Sequence, residues 1–154
     1  AQDTYQQFEE KAKIVKSHIA RKQIRYNYHD AKLSSLEGVM ARGDRKVSAA
    51  IYRAWEKGCR FDSWSELFDF EKWQEAFAET GVDPAFYANR KRDFDEILPW
   101  DHISVGVSKQ FMINERKKAE MAITTPNCRE MCSHCGAAAF GGGVCFESAE
   151  KNKI

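Results

Sequence analysis

The sequence predicts a mainly helical protein that ends in a cysteine-rich metal-binding loop. Apolar residues recur every three or four positions along most of the chain, which is the period of an amphipathic helix. Aspartate, serine and glycine residues stand where helices of that period would begin and end. Four of the five cysteines lie close together near the carboxyl end. Only one short stretch alternates as a strand does.

Composition narrows the class of protein. The 154 residues include 24 basic and 23 acidic side chains, so the net charge of +1 gives no general reason to bind nucleic acid or an anionic membrane. No apolar run approaches the roughly 20 residues of a membrane span, and no signal segment opens the chain. Clustered rather than scattered cysteines favour a metal site in a reducing cytoplasm over a secreted disulfide framework.

The amino-terminal part predicts a helix followed by a strand. Residues 4–22 carry an apolar stripe at helical spacing. Residues 24–28 then place Ile24, Tyr26 and Tyr28 on alternate positions, which predicts a short strand. A lone strand needs a partner, so we expect one from elsewhere in this chain or from another chain. Because the chain starts with Ala1 rather than Met, we also expect it to be an excerpt of a longer polypeptide or a processed product.

Helices should fill most of residues 31–121. Three residues are suited to N-cap a helix, Asp30, Asp69 and Ser108, and Pro84 is suited to the first position of a short helix through Tyr87. Three glycines are suited to end one: Gly43, Gly58 and Gly81. Residues 63–66 have the spacing of a capping box, which predicts a further helix start there. Residues 98–102 should form a loop, because the residue before a proline avoids the helical region.

The cysteines of the last quarter are the strongest chemical signal. Cys128, Cys132 and Cys135 are spaced C-x3-C-x2-C, and Cys145 follows nine residues later behind a run of three glycines. Four thiolates that converge suit either one zinc ion or an iron–sulfur cluster, most simply a 4Fe-4S cluster. The alternatives are unligated thiols or two disulfides. His134, between two of these cysteines, is a possible ligand or a hydrogen-bond donor to a sulfur.

The same C-x3-C-x2-C spacing binds the catalytic cluster of radical S-adenosylmethionine (SAM) enzymes. In those enzymes the motif follows the first strand of a long α/β barrel, whereas here it lies about twenty residues from the carboxyl end. His134 also replaces the usual aromatic residue, and Cys145 supplies a fourth ligand. We therefore favour a closed metal site over a SAM-binding one.

Several other residues have both a functional and a structural interpretation. Adjacent Asp101 and His102 suit an acid–base pair, but neighbouring side chains often point apart, which favours a structural role. The aromatic residues around Tyr26 could face a ligand or fill a core. Residues 90–92 and 21–22 are short basic runs that suit a solvated face better than an RNA contact. Cys59 has no cysteine neighbour and is expected to be a small core residue.

Six segments together resemble the carboxyl-terminal part of a family of radical SAM proteins that carry a cobalamin-binding-like domain at the amino terminus. They are residues 55–64, 83–88, 97–103, 106–109, 125–129 and the terminal cysteine motif. The resemblance implies that the catalytic cluster motif and the SAM site lie upstream, in a barrel absent from this sequence. It makes residues 1–30 the end of that barrel, residues 31–121 a helical domain and residues 122–154 a cysteine-rich tail.

The sequence therefore predicts a non-catalytic region of a radical SAM-type protein. Its tail would bind an auxiliary iron–sulfur cluster or zinc, and SAM would belong only to the intact parent protein. Its main partner would be the upstream barrel, in the same chain or a companion chain. The alternative is a zinc-stabilised module that docks on RNA or protein through residues 90–92 and the aromatics around Tyr26. No membrane association is expected.

Overall fold

The structure, a computed structural model, describes residues 1–20 and 23–141 and is mainly helical, as the sequence predicts. The described residues contain six α-helices and one short 3₁₀ helix: α1 Tyr5–His18, α2 Ala31–Arg42, α3 Val47–Glu56, α4 Phe70–Thr80, α5 Pro84–Ala88, α6 Lys109–Glu120 and the 3₁₀ helix Ala137–Phe140. The chain divides into two compact units, the first Ala1–Asp93 and the second beginning at Phe94. No described helix has the length and apolar character to cross a membrane.

The three predicted N-caps are confirmed, and Asp83 caps the helix that begins at Pro84. Each of the four satisfies an amide that the first helical turn leaves without a partner. The bonds are Leu33 N–H to Asp30 at 2.8 Å, Lys72 N–H to Asp69 at 3.1 Å, Ala85 N–H to Asp83 at 2.9 Å and Phe111 N–H to Ser108 at 3.1 Å. Helix α1 has a capping box as well, in which Thr4 and Gln7 exchange hydrogen bonds between side chain and backbone. Local sequence chemistry thus sets most helix starts.

The first unit has its core between α3 and α4. Ala50, Ala54 and Ala76 are completely buried, so the two helices approach closely. Larger side chains close the core around them: Leu36, Val39, Val47, Trp73, Phe77 and Tyr87. This is the helix-on-helix layering expected of a small α domain.

Two helices of this unit end in the same way. Gly58 and Gly81 adopt left-handed backbone conformations, with φ of 93° and 66°. The next residue in each case donates its amide back across the last turn, from Cys59 to Ala54 at 3.0 Å and from Val82 to Phe77 at 3.1 Å. This Schellman geometry turns Cys59 and Val82 into the core, where both are buried.

The predicted strand at residues 24–28 is wrong. Within the described residues no strand exists, and this stretch runs as irregular chain between α1 and α2. Tyr26 and Tyr28, which alternate in the sequence, stack with ring centroids 5.3 Å apart. No neighbouring strand completes the hydrogen-bonded ladder, and an alternating pattern alone does not make a strand.

Two boundaries also differ from the sequence prediction. No helix begins at residues 63–66, which form turns in which Leu67 and Phe68 donate amides to the Trp64 carbonyl. The capped start at Asp69 takes the place of that predicted start. Helix α1 ends at His18 rather than near residue 22, and the basic pair at residues 21–22 lies outside the described residues.

The second unit has no apolar core in its described part. Every buried hydrophobic residue of the described chain precedes Asp93, and α6 buries none of its side chains. Hydrogen bonds and ion pairs hold this unit instead. Lys109 of α6 reaches back to Asp101 at 3.2 Å and to the Glu96 carbonyl at 3.1 Å.

Candidate metal site in the cysteine-rich tail

The cysteine-rich tail, residues 122–154, leaves α6 through a polar cluster. Thr125 donates its hydroxyl to Glu115 at 2.6 Å, and Lys118 donates to Glu115 at 2.8 Å and to Thr125 at 3.1 Å. The hydrogen bond from Lys118 and, to a smaller extent, the one from Thr125 lower the pKa of Glu115, because both stabilise its charged form. The cluster fixes the chain just before Pro126 and the first cysteine.

Cys128 lies in a turn built by Asn127. The Asn127 side chain accepts the Arg129 amide at 2.9 Å, and its carbonyl accepts the amides of Glu130 and Met131 at 3.0 and 3.2 Å. Asparagine commonly stabilises such turns by bonding to backbone two residues on. The turn leaves Cys128 exposed to solvent as a free thiol.

Cys132 and Cys135 share a local arrangement. The amide two residues after each cysteine donates to its sulfur, from His134 to Cys132 Sγ and from Ala137 to Cys135 Sγ, both at 3.5 Å. The turns depend on left-handed backbone at His134 and Gly136, with φ of 54° and 99°. An amide that donates to a sulfur fixes the direction in which that sulfur can face a metal.

The second cysteine turn is anchored to the start of α6. The Cys135 carbonyl accepts the Ser108 amide at 2.8 Å. Gly136 lies so close to the chain that a Cβ there would be 2.5 Å from the Gly106 carbonyl oxygen. Only glycine fits this approach, and its positive φ suits glycine as well. The anchor gives Cys135 a defined position, and Cys135 is half-buried.

The donor atoms suit a soft metal, but the described residues do not assemble a complete site. Thiolates are the preferred ligands of zinc and of iron–sulfur clusters. In residues 1–20 and 23–141, no three histidine, cysteine, aspartate or glutamate side chains are grouped so as to hold a metal ion. Cys128, Cys132 and Cys135 therefore do not form such a group, and Cys145 lies outside the described residues. The four-cysteine ligand set stays a prediction.

His134 contributes its backbone rather than its ring to the observed contacts. Its amide donates to Cys132, and its side chain is exposed. The predicted role as a donor to a sulfur matches this backbone contact. A ligand role for the imidazole stays a prediction.

Asp101 and His102 are not arranged as an acid–base pair. Asp101 accepts the Leu98 amide at 3.0 Å and the Lys109 ammonium at 3.2 Å. The Leu98 amide, and secondarily Lys109, lower the pKa of Asp101. His102 is exposed, and no hydrogen bond joins the two side chains in the described structure. The carboxylate closes the loop at residues 98–102, as the structural interpretation predicts.

The basic residues at 90–92 are less solvated than the sequence suggests. Arg90 is half-buried, with its guanidinium 4.3 Å from the centre of the Phe86 ring. Arg92 is also half-buried and donates to the Arg42 carbonyl at 3.3 Å. Only Lys91 is exposed. Contacts within the first unit therefore occupy both arginines.

Tyr26 and Tyr28 line a groove in the first unit. The groove has a volume of about 280 Å³, and Phe8 and Val15 of α1 form its other wall. Tyr28 keeps 58% of its surface exposed, and Tyr26 keeps 37%. The pair therefore does not form a closed core, and Lys11, His29 and Ser34 also line the groove.

Cys59 is the small core residue that the sequence predicts. It is 7% exposed and packs in the core of the first unit. Burial raises the pKa of its thiol, which keeps it protonated and unreactive.

Sequence patterns did not identify the anchor at Gly106, Ser108 and Gly136, or the exposed aromatic residues between positions 52 and 67. The anchor depends on contacts between distant residues, and the only local signal is the glycine next to Cys135. The aromatic residues look like core residues in a helical pattern, and only the structure shows their exposure. No family model matches the chain, and comparisons with curated proteins and with solved structures find no significant match.

Proposed function

We propose that this chain is the carboxyl-terminal region of a cytoplasmic radical SAM-type protein. In this proposal Cys128, Cys132, Cys135 and Cys145 bind an auxiliary iron–sulfur cluster or a zinc ion. The region holds metal and does not catalyse a reaction alone. Its partner is the barrel that carries the SAM site, in the same chain or a companion chain.

The observation that carries the metal proposal is the pair of amide-to-sulfur hydrogen bonds. Two residues separate Cys132 from Cys135, and each sulfur accepts a hydrogen bond from the amide of the second residue after it. Such bonds orient the two sulfurs, as hydrogen bonds from neighbouring groups commonly orient the ligands of a metal site.

The lack of an apolar core in the second unit supports the same proposal. Small domains that cannot bury enough apolar surface are usually held by a disulfide or a metal. The described part of this unit buries no hydrophobic side chain from Phe94 onward. A bound metal would supply the missing folding free energy and would draw the cysteines together as it binds.

The radical SAM assignment rests on the resemblance of the six segments alone, and three of those segments contact one another in the structure. Lys109 contacts Asp101, Ser108 contacts Cys135, and Gly136 packs on Gly106. Three of the resembling segments thus meet in one unit around the second cysteine turn. These contacts hold the turn that carries Cys135 against the start of α6.

Metal analysis of anaerobically purified protein tests the proposal. An iron–sulfur cluster gives a brown protein that absorbs near 400 nm and contains iron and sulfide in similar amounts. A zinc site gives a colourless protein with one zinc per chain. Protein that contains neither metal after reconstitution with iron and sulfide or with zinc would refute the metal proposal.

Cysteine variants identify the ligands. Cys135→Ser should lose most of the bound metal, because serine is a poor ligand for soft metals, while the helices of the first unit stay folded by circular dichroism. Cys59→Ala is the matched control, since it also removes one cysteine but lies in the core of the other unit. Equal metal content in both variants and the parent would contradict the ligand assignment.

A SAM-cleavage assay tests the proposal that this region does not catalyse a reaction without its partner. Reduced, metal-reconstituted protein should release no 5′-deoxyadenosine from SAM. Release that depends on Cys128, Cys132 and Cys135 would instead make this tail a SAM-binding cluster site.

A second candidate is a zinc-stabilised module that docks on RNA or protein. The observation that favours it is the exposed, stacked pair Tyr26 and Tyr28 beside an apolar groove. A zinc protein whose gel shift with single-stranded RNA weakens with salt, and is lost in Tyr28→Ala, would support the RNA version. Tyr28 is a better probe than Arg90 or Arg92, because both arginines also hold the first unit together.

A further inference from the structure

We infer that the first unit pairs with a second copy of this chain through the face formed by residues 52–67. This 52–67 face consists of the exposed aromatic and leucine side chains of α3 and the following turns, with one cation and one anion at its edge. Its members are Tyr52, Trp55, Arg60, Phe61, Glu66 and Leu67.

The side chains of the face are contiguous. Tyr52 and Trp55 stack on α3 with ring centroids 5.7 Å apart, and the Arg60 guanidinium lies 5.0 Å from the centre of the Trp55 ring. Arg60 in turn lines a cavity of about 770 Å³ together with Phe61, Glu66 and Leu67. The four apolar residues expose between 50% and 71% of their surface.

So much exposed aromatic surface is unusual for a part of a protein that remains in water. Four side chains of this size that expose roughly 100 Å² or more each form a patch in the range that marks an interaction site. Tryptophan, tyrosine and arginine are also the residues that contribute most to binding at protein interfaces. The backbone also indicates an interaction site. Phe61 has a φ of 57°, and bulky residues with a positive φ are rare and occur mostly at functional sites.

The charges on the face favour a second copy as the occupant. Within the described residues Arg60 has no carboxylate partner, and Glu66 accepts only the hydroxyl of Ser65, at 3.2 Å. Of the other charges around the cavity, Lys32 pairs with Glu71 and Lys72 with Asp69, while Asp30 caps α2. One unpaired cation and one unpaired anion on a single face complement themselves under a two-fold axis, where Arg60 of each copy meets Glu66 of the other.

The same charges disfavour a nucleic acid. Four carboxylates line the cavity against three cations, so the phosphate backbone would be repelled. The lining is also too polar and too open at its edge for a buried apolar ligand.

The test is the oligomeric state of the full chain and its charge-reversed variants, measured by sedimentation velocity over a concentration series. The parent should associate to a dimer. Arg60→Glu and Glu66→Arg should each weaken dimerisation by about tenfold or more. Either change puts two like charges at both of the places where residue 60 of one copy meets residue 66 of the other. Lys13→Glu on the exposed side of α1 is the matched control and should dimerise as the parent does.

An equal mixture of Arg60→Glu and Glu66→Arg chains should form a heterodimer, because each reversed charge then meets its opposite. This rescue also shows that both variants are folded. Trp55→Ala should weaken the parent dimer without a change in helix content. A parent that stays monomeric at all concentrations, or variants that dimerise as the parent does, would overturn the inference. Because all six residues belong to the first unit, neither result depends on the metal site.

Discussion

At the scale of single residues, Gly136 is the most constrained position of the cysteine-rich tail. Its φ is 99°, and a Cβ would lie 2.5 Å from the Gly106 carbonyl oxygen. Gly136→Ala should therefore detach the Cys135 turn from α6, at a cost of about 1–3 kcal/mol from the backbone strain alone. Hydrogen exchange of the Ser108 amide, which donates to Cys135, should become faster in this variant.

Gly58→Ala is the matched control for this change. Gly58 has nearly the same φ, 93°, but a Cβ there would meet no atom within 4 Å. Gly58→Ala should lower the stability only by the backbone strain of a positive φ and should leave hydrogen exchange of the Ser108 amide unchanged. If Gly136→Ala also leaves that amide protected, the contact with Gly106 does not hold the turn.

Asp44 links the start of α3 to α5 and gives the first unit a pH dependence. Its carboxylate accepts the Lys46 amide at 2.8 Å and the Tyr87 hydroxyl at 2.9 Å. These bonds, the Lys46 amide first, lower the pKa of Asp44 in the folded state. A folded pKa below the unfolded value of about 4 gives stability that is present above that value and is lost as pH falls through the folded pKa.

Asp44→Asn removes this titrating group. Its free energy of unfolding in urea should therefore fall less steeply than that of the parent as pH drops below about 4. Tyr87→Phe should give an intermediate slope, since it removes only one of the two donors. Parallel curves for the parent and Asp44→Asn would show that these bonds do not stabilise the charged form.

At the scale of elements, the first unit depends on the close approach of α3 and α4. Ala76 is completely buried between the helices, so Ala76→Leu should force them apart at a cost of about 1–3 kcal/mol. Ala78→Leu, on the exposed side of the same helix, is the matched control and should change stability little. Thermal unfolding followed by circular dichroism measures both. Equal unfolding temperatures for the two variants would mean that the space between α3 and α4 accommodates a larger side chain at position 76.

Elements were predictable from the sequence where their signals are local. The caps at Asp30, Asp69 and Ser108 are predictable because a side chain and the amide three residues on complete the bond by themselves. The strand at residues 24–28 was wrong because a strand needs a partner that the pattern does not supply. The predicted helix start at residues 63–66 is wrong because the same four residues also fit a turn.

The candidate site was only partly predictable for the same reason. Cysteine spacing identified residues of the right chemistry, and two of them have the amide-to-sulfur bonds that suit a metal ligand. The anchor between Cys135 and Ser108 joins residues 27 positions apart, which no spacing rule reveals. The 52–67 face was hidden because exposure depends on which helix face the fold leaves uncovered.

At the scale of the whole molecule, the two units differ in what stabilises them. All buried hydrophobic residues of the described chain precede Asp93. A fragment of residues 1–93 should therefore keep its helical circular dichroism and unfold cooperatively by itself. A fragment that shows no cooperative transition would mean that the first unit needs the rest of the chain. The corresponding fragment from residue 94 onward should need metal to resist proteolysis.

The burial of Cys59 behind the Gly58 turn has a practical consequence for measuring these states. An alkylating reagent should modify the exposed thiols of Cys128 and Cys132 at once in metal-free protein, but should reach Cys59 only when the first unit opens globally. The mass increments on the intact chain would then record two quantities from one sample. The fast additions report whether the outer sulfurs are occupied, and the slow one reports how often the helical core comes apart.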